Sequence, residues 1–67
     1  MTVEVNGRAV NLEDDAVLSD VVARERATEG RGVAVAVDGE VVPRGDWPST
    51  RLREGQKVEV VAAVQGG

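Results

Sequence analysis

The chain has 67 residues and a formal charge of −4, with twelve acidic against eight basic side chains. A chain of this length makes one small, marginally stable domain, and its acidic balance argues against nucleic acid as a partner. Cysteine, histidine and tyrosine are absent, so the usual nucleophile, proton shuttle and soft metal ligands are missing. We therefore expect a substrate or binding module rather than an enzyme, with no bound cofactor or metal.

Nothing in the sequence predicts a membrane or secretory segment. The N-terminus begins at once with the alternating residues Thr2 to Val5, which do not resemble a signal peptide. No apolar run approaches the roughly 20 residues that span a bilayer. The absence of cysteine also fits a reducing compartment, so we expect a cytoplasmic protein with no membrane partner.

The first predicted element is a β-hairpin around Asn6-Gly7. The flanking segments Thr2 to Val5 and Ala9 to Leu12 alternate, and Asn-Gly favours a type I′ turn, which needs positive φ at both central positions. A two-residue loop fixes the register of the strands: Val5 with Arg8, Val3 with Val10 and Met1 with Leu12.

A short amphipathic helix is predicted next. Leu18, Val21 and Val22 have the i, i+3, i+4 spacing of one apolar stripe. Asp14-Asp15 precedes the first turn, where acidic side chains favour the helix dipole. The segment Glu29 to Gly32 is predicted to end the helix.

The next segments predict two more strands and a loop. Val33 to Val37 is apolar on both faces and is therefore expected to be covered on both. Asp38-Gly39 predicts a tight turn into the strand Glu40 to Val42, which Pro43 ends. We expect Trp47 to be a core lid over a sheet edge rather than a binding contact. An irregular loop, a short strand and a turn complete this region: Arg44 to Pro48, Ser49 to Leu52 and Arg53 to Gln56.

The last predicted strand, Lys57 to Val64, changes character along its length. Val58 and Val60 are expected to point inward, and from Val60 onward both faces are apolar or small. Two interpretations stay open at this point. The strand is central and buried on both sides, or its outward residues Val61 and Ala63 form part of a docking surface.

The chain ends Val64-Gln65-Gly66-Gly67. Glycine has no Cβ atom, so a partner's backbone and a nucleotide can approach the Gly67 carboxylate closely. A frayed terminus is the alternative interpretation. We predict a single domain over residues 1–67 in which residues 64–67 are a flexible tail.

The predicted order of hairpin, helix, hairpin and closing strand gives an α+β fold, with a mixed sheet of four to five strands packed on one helix. This is the order of the β-grasp, or ubiquitin-like, fold. In that fold the last strand lies beside the first and parallel to it. The tail is then expected to leave the sheet at the Asn6-Gly7 end.

The whole chain resembles the ThiS family, the sulfur carriers of thiamine biosynthesis. Two segments carry the resemblance: Val37-Asp38-Gly39-Glu40-Val41-Val42-Pro43-Arg44 with the downstream Trp47, and Ala63-Val64-Gln65-Gly66-Gly67. One departure is Val17, where these carriers commonly have a threonine able to cap the helix.

The resemblance implies a function and its partners. A ThiF-type adenylating enzyme would use ATP and Mg to activate the Gly67 carboxylate. A cysteine desulfurase would supply the sulfur for a Gly67 thiocarboxylate, and a ThiG-type thiazole synthase would take that sulfur into the thiazole ring. Partner contacts are expected at Gly66, Gln65, Val64, Ala63 and Val61.

Other functions remain open for a β-grasp chain with this ending. A sulfur carrier for molybdopterin or cysteine synthesis shares the fold and the Gly-Gly end but generally lacks the Pro-Arg-x-x-Trp segment. A ubiquitin-like modifier would form isopeptides on target lysines. A plain interaction module would have an inert tail.

Overall fold

The computed structural model describes residues 1–25 and 32–62. Within these ranges the order of the elements is the predicted one. Their bounds are β1 (Thr2–Val5), β2 (Arg8–Asn11), α1 (Leu18–Glu25), β3 (Val33–Val37), β4 (Glu40–Val41), a 3₁₀ helix (Arg44–Ser49) and β5 (Lys57–Ala62).

The five strands form one mixed sheet in the order β2-β1-β5-β3-β4. The last strand, β5, lies in the middle of this sheet, parallel to β1 and antiparallel to β3. Both edge strands belong to hairpins, because β2 pairs with β1 and β4 pairs with β3. The predicted α+β class, the β-grasp topology and the parallel placement of the first and last strands are confirmed.

The hairpin of β1 and β2 has the predicted turn and register. Asn6 and Gly7 both have positive φ, 49° and 87°, which is the conformation that a type I′ turn requires. Val3 lies opposite Val10. The Met1 and Leu12 pair extends the ladder with two hydrogen bonds, of 2.7 and 2.8 Å. The local turn chemistry therefore sets which side chains of β1 face the core.

The hydrophobic core lies between α1 and one face of the sheet. Alternate residues of the three inner strands meet the apolar stripe of the helix in one cluster: Val3, Val5, Val35, Val37, Val58 and Val60 with Leu18, Val21 and Val22. Among the described residues no polar or charged side chain is buried. Burial of apolar side chains is therefore the main favourable contribution to stability in this layer.

Helix α1 begins at Leu18, and its first turn has half of a capping box. The Asp20 carboxylate accepts a hydrogen bond from the Val17 backbone N–H at 3.1 Å, which is the contact made by the third helical residue in such a box. The reciprocal hydrogen bond, from the Asp20 N–H to a side-chain oxygen of the residue before the helix, cannot form because valine at position 17 has no such oxygen. The preceding Asp14-Asp15 pair forms a turn. Residues 26–31, which include most of the predicted helix end, lie outside the described residues.

Two predictions for the segment after β4 are wrong. Arg44 to Pro48 is not irregular but belongs to the 3₁₀ helix, in which the Asp46 N–H donates to the Pro43 carbonyl at 2.9 Å. The hydroxyls of Ser49 and Thr50 add contacts to the Asp46 carbonyl at its end, at 3.1 and 2.6 Å. Ser49 to Leu52 does not form a strand. It makes one isolated antiparallel bridge, between Arg51 and Val17. The pairing cannot extend because the chain enters α1 directly after Val17.

The prediction that β3 is covered on both faces is also wrong. Val35 is 1% exposed, whereas Ala34, on the opposite face of the same strand, is exposed. The described residues form two layers, one sheet and one helix, so the second face of the sheet has no covering layer from these residues. The apolar pattern of β3 reflects small side chains rather than burial.

Trp47 is a core lid, as predicted. Its side chain is only 7% exposed, and its indole N–H donates to the Val42 carbonyl oxygen at 2.9 Å. The Arg44 guanidinium lies 5.4 Å from the centre of the indole ring, within the range of a cation–π contact. The Pro-Arg-x-x-Trp segment therefore closes one side of the core.

Candidate functional site

The end of β5 lies where the sequence predicts it, next to the Asn6-Gly7 turn. The parallel pairing of β1 with β5 places Val5 beside Val58, and the Asn6 N–H then donates to the Val58 carbonyl at 2.9 Å. On the other side, β3 pairs with β5 as far as Ala62, which lies opposite Val33. The chain therefore runs toward its C-terminus from the central strand of the sheet.

Five of the predicted site residues cannot be placed. Ala63, Val64, Gln65, Gly66 and Gly67 lie outside the described residues. Their roles as reactive carboxylate and partner contacts, and the flexibility of the tail, stay predictions. The described part of the site is therefore the end of β5 and the sheet around it.

Val61 is the one predicted contact residue that the structure describes, and 57% of it is exposed. Its neighbours in the same strand, Val58 and Val60, are 1% and 6% exposed and belong to the core. The interpretation of β5 as a strand buried on both sides is therefore wrong, although the strand is central. Val61 is accessible to a partner, as a docking surface at this residue requires.

Val61 belongs to a small apolar surface on the open face of the sheet, which we call the open-face patch. The pairings Ala34 with Val61 and Ala36 with Val41 place the members of the patch on three neighbouring strands: Ala34, Ala36, Val41 and Val61. Val41 is 70% exposed, the most among the large apolar residues described. Sequence reasoning identified only Val61, because the other three become neighbours through strand pairing.

Charged side chains lie beside the patch on the same face. Glu59 is directly opposite Ala36, and Glu4 and Lys57 face each other across β1 and β5. All three are exposed or partly exposed. Protein-binding surfaces have an apolar core and a polar rim, and these charged residues supply part of such a rim.

Asn6 makes contacts at the end of β5 that sequence reasoning did not predict. Its side-chain amide donates to the Val60 carbonyl at 3.2 Å and accepts from the Val60 N–H at 2.9 Å. The amide thus pairs with Val60 as a residue of a neighbouring strand would. Asparagine at the turn is a signal in the sequence, but its partner is 54 residues away and is visible only from the topology.

Three hydroxyl groups of the described residues are engaged in local hydrogen bonds. The hydroxyl of Thr2 donates to the Asn11 side chain at 2.8 Å, and those of Ser49 and Thr50 are engaged with the Asp46 carbonyl. Across residues 1–25 and 32–62, no group of three acidic side chains is placed to hold a metal ion. In the same ranges, no helix has the length and apolar character needed to cross a membrane.

Two solved structures are similar to the chain over its full length. A crystal structure of a thiamine biosynthesis protein (ThiS) from Geobacter metallireducens has a TM-score of 0.82 at 23% identity, covering 100% of both chains. An NMR solution structure of a thiamine biosynthesis protein from the same organism has a TM-score of 0.76 at 25% identity, covering 100% of this chain and 88% of the other. These similarities confirm the fold.

Sequence comparison identifies the family. No curated protein matches the chain significantly, but the model of the ThiS family matches residues 3–67. This match includes both the segment around Trp47 and the Gly-Gly ending. The chain therefore belongs to the ThiS family, the small sulfur-carrier proteins of thiamine biosynthesis.

Proposed function

We propose that the chain carries sulfur as a thiocarboxylate on Gly67 and donates it to a ThiG-type thiazole synthase. The family match to residue 67 supports this proposal more than any other observation. The composition is consistent with it, because a chain without cysteine has no thiol on which to carry sulfur. The chain would act as a co-substrate of its partner enzymes and not as an enzyme.

The proposed chemistry has three steps at the terminal carboxyl carbon. A Gly67 carboxylate oxygen attacks the α-phosphorus of ATP on a ThiF-type enzyme, and pyrophosphate leaves. A persulfide, generated from cysteine by a desulfurase, then attacks the acyl carbon, and AMP leaves. A thiol reductant cleaves the resulting acyl disulfide and leaves sulfur in place of one carboxylate oxygen. ATP and Mg belong to the partner, and the carrier itself binds no cofactor.

The open-face patch is proposed to hold the adenylating enzyme. Five residues follow Ala62, and an extended chain of five residues spans at most about 18 Å. A partner whose active site reaches Gly67 must therefore contact the body of the carrier near the end of β5. Val61 is exposed at this position, so it is the first residue of the body that we expect the partner to cover.

The assembly that follows from this proposal is transient. The carrier would meet an adenylating enzyme, a desulfurase and a thiazole synthase in turn, in the cytoplasm, where cysteine and ATP are available. Each partner would need access to the same carboxylate, so the three complexes exclude one another. A patch of four small or medium apolar side chains suits such exchange, since small interfaces are typical of short-lived complexes.

Reconstitution with purified partners tests the proposed function. The chain is incubated with a ThiF-type enzyme, ATP and Mg, and exchange between ATP and labelled pyrophosphate is measured. We expect exchange that depends on the chain and is lost when Gly67 is deleted. Adding the desulfurase and cysteine should replace one terminal oxygen with sulfur in the intact mass. Absence of exchange with an active partner enzyme would count against the proposal.

A further inference from the structure

Both hairpin turns hold β5 through the side chain of their first residue. Asn6 and Asp38 have nearly the same backbone conformation, with φ of 49° and 51°, and each is followed by a glycine with positive φ. Asn6 pairs with Val60 near the end of β5, while the Asp38 carboxylate accepts from the Lys57 N–H at 2.9 Å at its beginning. The central strand is thus fixed at two points, from opposite sides.

The contact made by Asn6 replaces missing strand pairing. Strand β1 ends at Val5, and the chain turns away at Gly7. Val60 lies two residues beyond Val58, which is the last β5 residue paired with a β1 backbone partner. Without the Asn6 side chain, the N–H and C=O of Val60 would have no partner from the β1 side among the described residues. The amide therefore continues the pairing on the β1 side of β5 two residues further toward the C-terminus, where only β3 pairs with the strand through its backbone.

We infer that Asn6 is a positioning residue for the reaction at Gly67. This inference rests on the proposed function. Strand β3 holds β5 from one side as far as Ala62, and the Asn6 side chain holds it from the other side at Val60. This second support limits the motion of the strand from which the last residues follow, and so the volume that the terminal carboxylate samples. Once the carrier is docked, a carboxylate confined in this way meets the α-phosphorus of ATP more often. Holding two reacting groups in the right geometry lowers the barrier of such reactions.

This role predicts a separation of binding from chemistry. In Asn6→Gly, the new residue adopts positive φ without strain, but both hydrogen bonds to Val60 are lost. Docking through the open-face patch should persist, so we expect the Kd for the adenylating enzyme to change by less than about twofold. The kcat of pyrophosphate exchange should fall by about 10- to 100-fold. Exchange of the Val60 amide hydrogen with solvent should become at least about tenfold faster.

The matched control is Asp38→Gly. The Asp38 carboxylate also accepts two hydrogen bonds, from the Lys57 N–H at 2.9 Å and from the Gln56 side-chain amide at 3.3 Å. Its loss should therefore lower the Tm comparably, by about 5–15 °C. It lies at the other end of β5 and should leave kcat within about twofold of the parent. A purely structural role for Asn6 predicts the same kcat for the two variants. All assays are run well below both melting temperatures.

The outcomes distinguish this inference from the proposed function. If the parent chain supports no pyrophosphate exchange, the proposed function fails and the inference fails with it. If the parent is active and Asn6→Gly has the kcat of Asp38→Gly, only the inference is overturned. Should Asn6→Gly not fold, the pair Asn6→Asp and Asp38→Asn replaces it. Asn6→Asp keeps the acceptor for the Val60 N–H and loses the donor, so its kcat should fall below that of Asp38→Asn. Equal kcat values in this pair also overturn the inference.

Discussion

Introducing aspartate at two positions of β5 separates the docking surface from the core. Val58 is 1% exposed and faces α1, whereas Val61 is 57% exposed on the open face. An unpaired buried charge costs about 3–5 kcal/mol, and domains of this length have a total stability of about 3–10 kcal/mol. Val58→Asp should therefore remove most or all of the folded protein. Val61→Asp should change the free energy of unfolding by about 0.5 kcal/mol or less.

The same substitution at Val61 should weaken partner binding strongly. Covering the exposed part of a valine side chain contributes about 1 kcal/mol, and this contribution is lost. Partial desolvation of an unpaired carboxylate at the interface adds a cost of about 2 kcal/mol, which is less than the several kcal/mol of full burial. Together these effects amount to about 3 kcal/mol, which is an increase of about 100-fold in Kd.

Circular dichroism melts and isothermal titration with the ThiF-type enzyme measure the two effects. The charge-matched control is Ala23→Asp, because Ala23 is an exposed apolar residue of α1, on the side of the sheet opposite the open-face patch. The control should bind the enzyme like the parent. Unfolding of Val61→Asp, or binding by it within about threefold of the parent, would refute the assignment of the docking surface.

Three further substitutions test other parts of the account. Val17→Thr should complete the capping box with Asp20 and raise the Tm by about 4–8 °C. A Tm equal to or below that of the parent would contradict this role of residue 17. Trp47→Phe keeps a buried ring but leaves the Val42 carbonyl without its donor, so we expect a loss of about 1–2 kcal/mol in chemical denaturation; unchanged stability would contradict the role of this hydrogen bond. Gly66→Val places a β-branched side chain beside the reacting carbon. It should lower pyrophosphate exchange by at least about tenfold at unchanged Tm, and equal exchange rates would refute the requirement for a small, flexible end.

The hairpins and the helix stripe could be predicted because their causes are local. Asn-Gly and Asp-Gly allow positive φ at adjacent positions, and the structure has it at Asn6, Gly7, Asp38 and Gly39. The stripe of Leu18 and its neighbours needs only the helical period. The placement of β5 beside β1 followed from the strand order of the β-grasp fold, which the order of the elements indicated, and not from the pattern of the strand itself.

The exposure of the open face could not be predicted from the pattern. Alanine and valine at alternate positions of β3 are compatible with burial on both faces, and only the number of layers decides whether Ala34 is covered. The 3₁₀ helix has backbone hydrogen bonds between residues three apart, and the hydroxyl groups of Ser49 and Thr50 add contacts back to the Asp46 carbonyl. The segment predicted as a strand makes only one bridge because its partner, Val17, is followed directly by α1.

The candidate site was predicted in position but only partly in composition. The position of the end of β5 beside the Asn6-Gly7 turn agrees with expectation. The exposure of Val61 decides between the two interpretations of β5 that the sequence left open. Ala34 and Asn6 were missed because their partners in β5 are distant in the sequence and become known only with the strand order. Ala36 and Val41 pair within one hairpin, but they were missed because that face of the sheet was expected to be covered.

The intact mass of the protein purified from the cells that produce it tests the central claim most directly. Cells grown without thiamine need the pathway, so the proposed function predicts a fraction of molecules in which one terminal oxygen is replaced by sulfur. Fragmentation should locate the sulfur on Gly67, and the fraction should vanish in cells that lack the adenylating enzyme. Only unmodified carboxylate in thiamine-starved cells, or Gly67 in isopeptide linkage to lysines of other proteins, would contradict the claim.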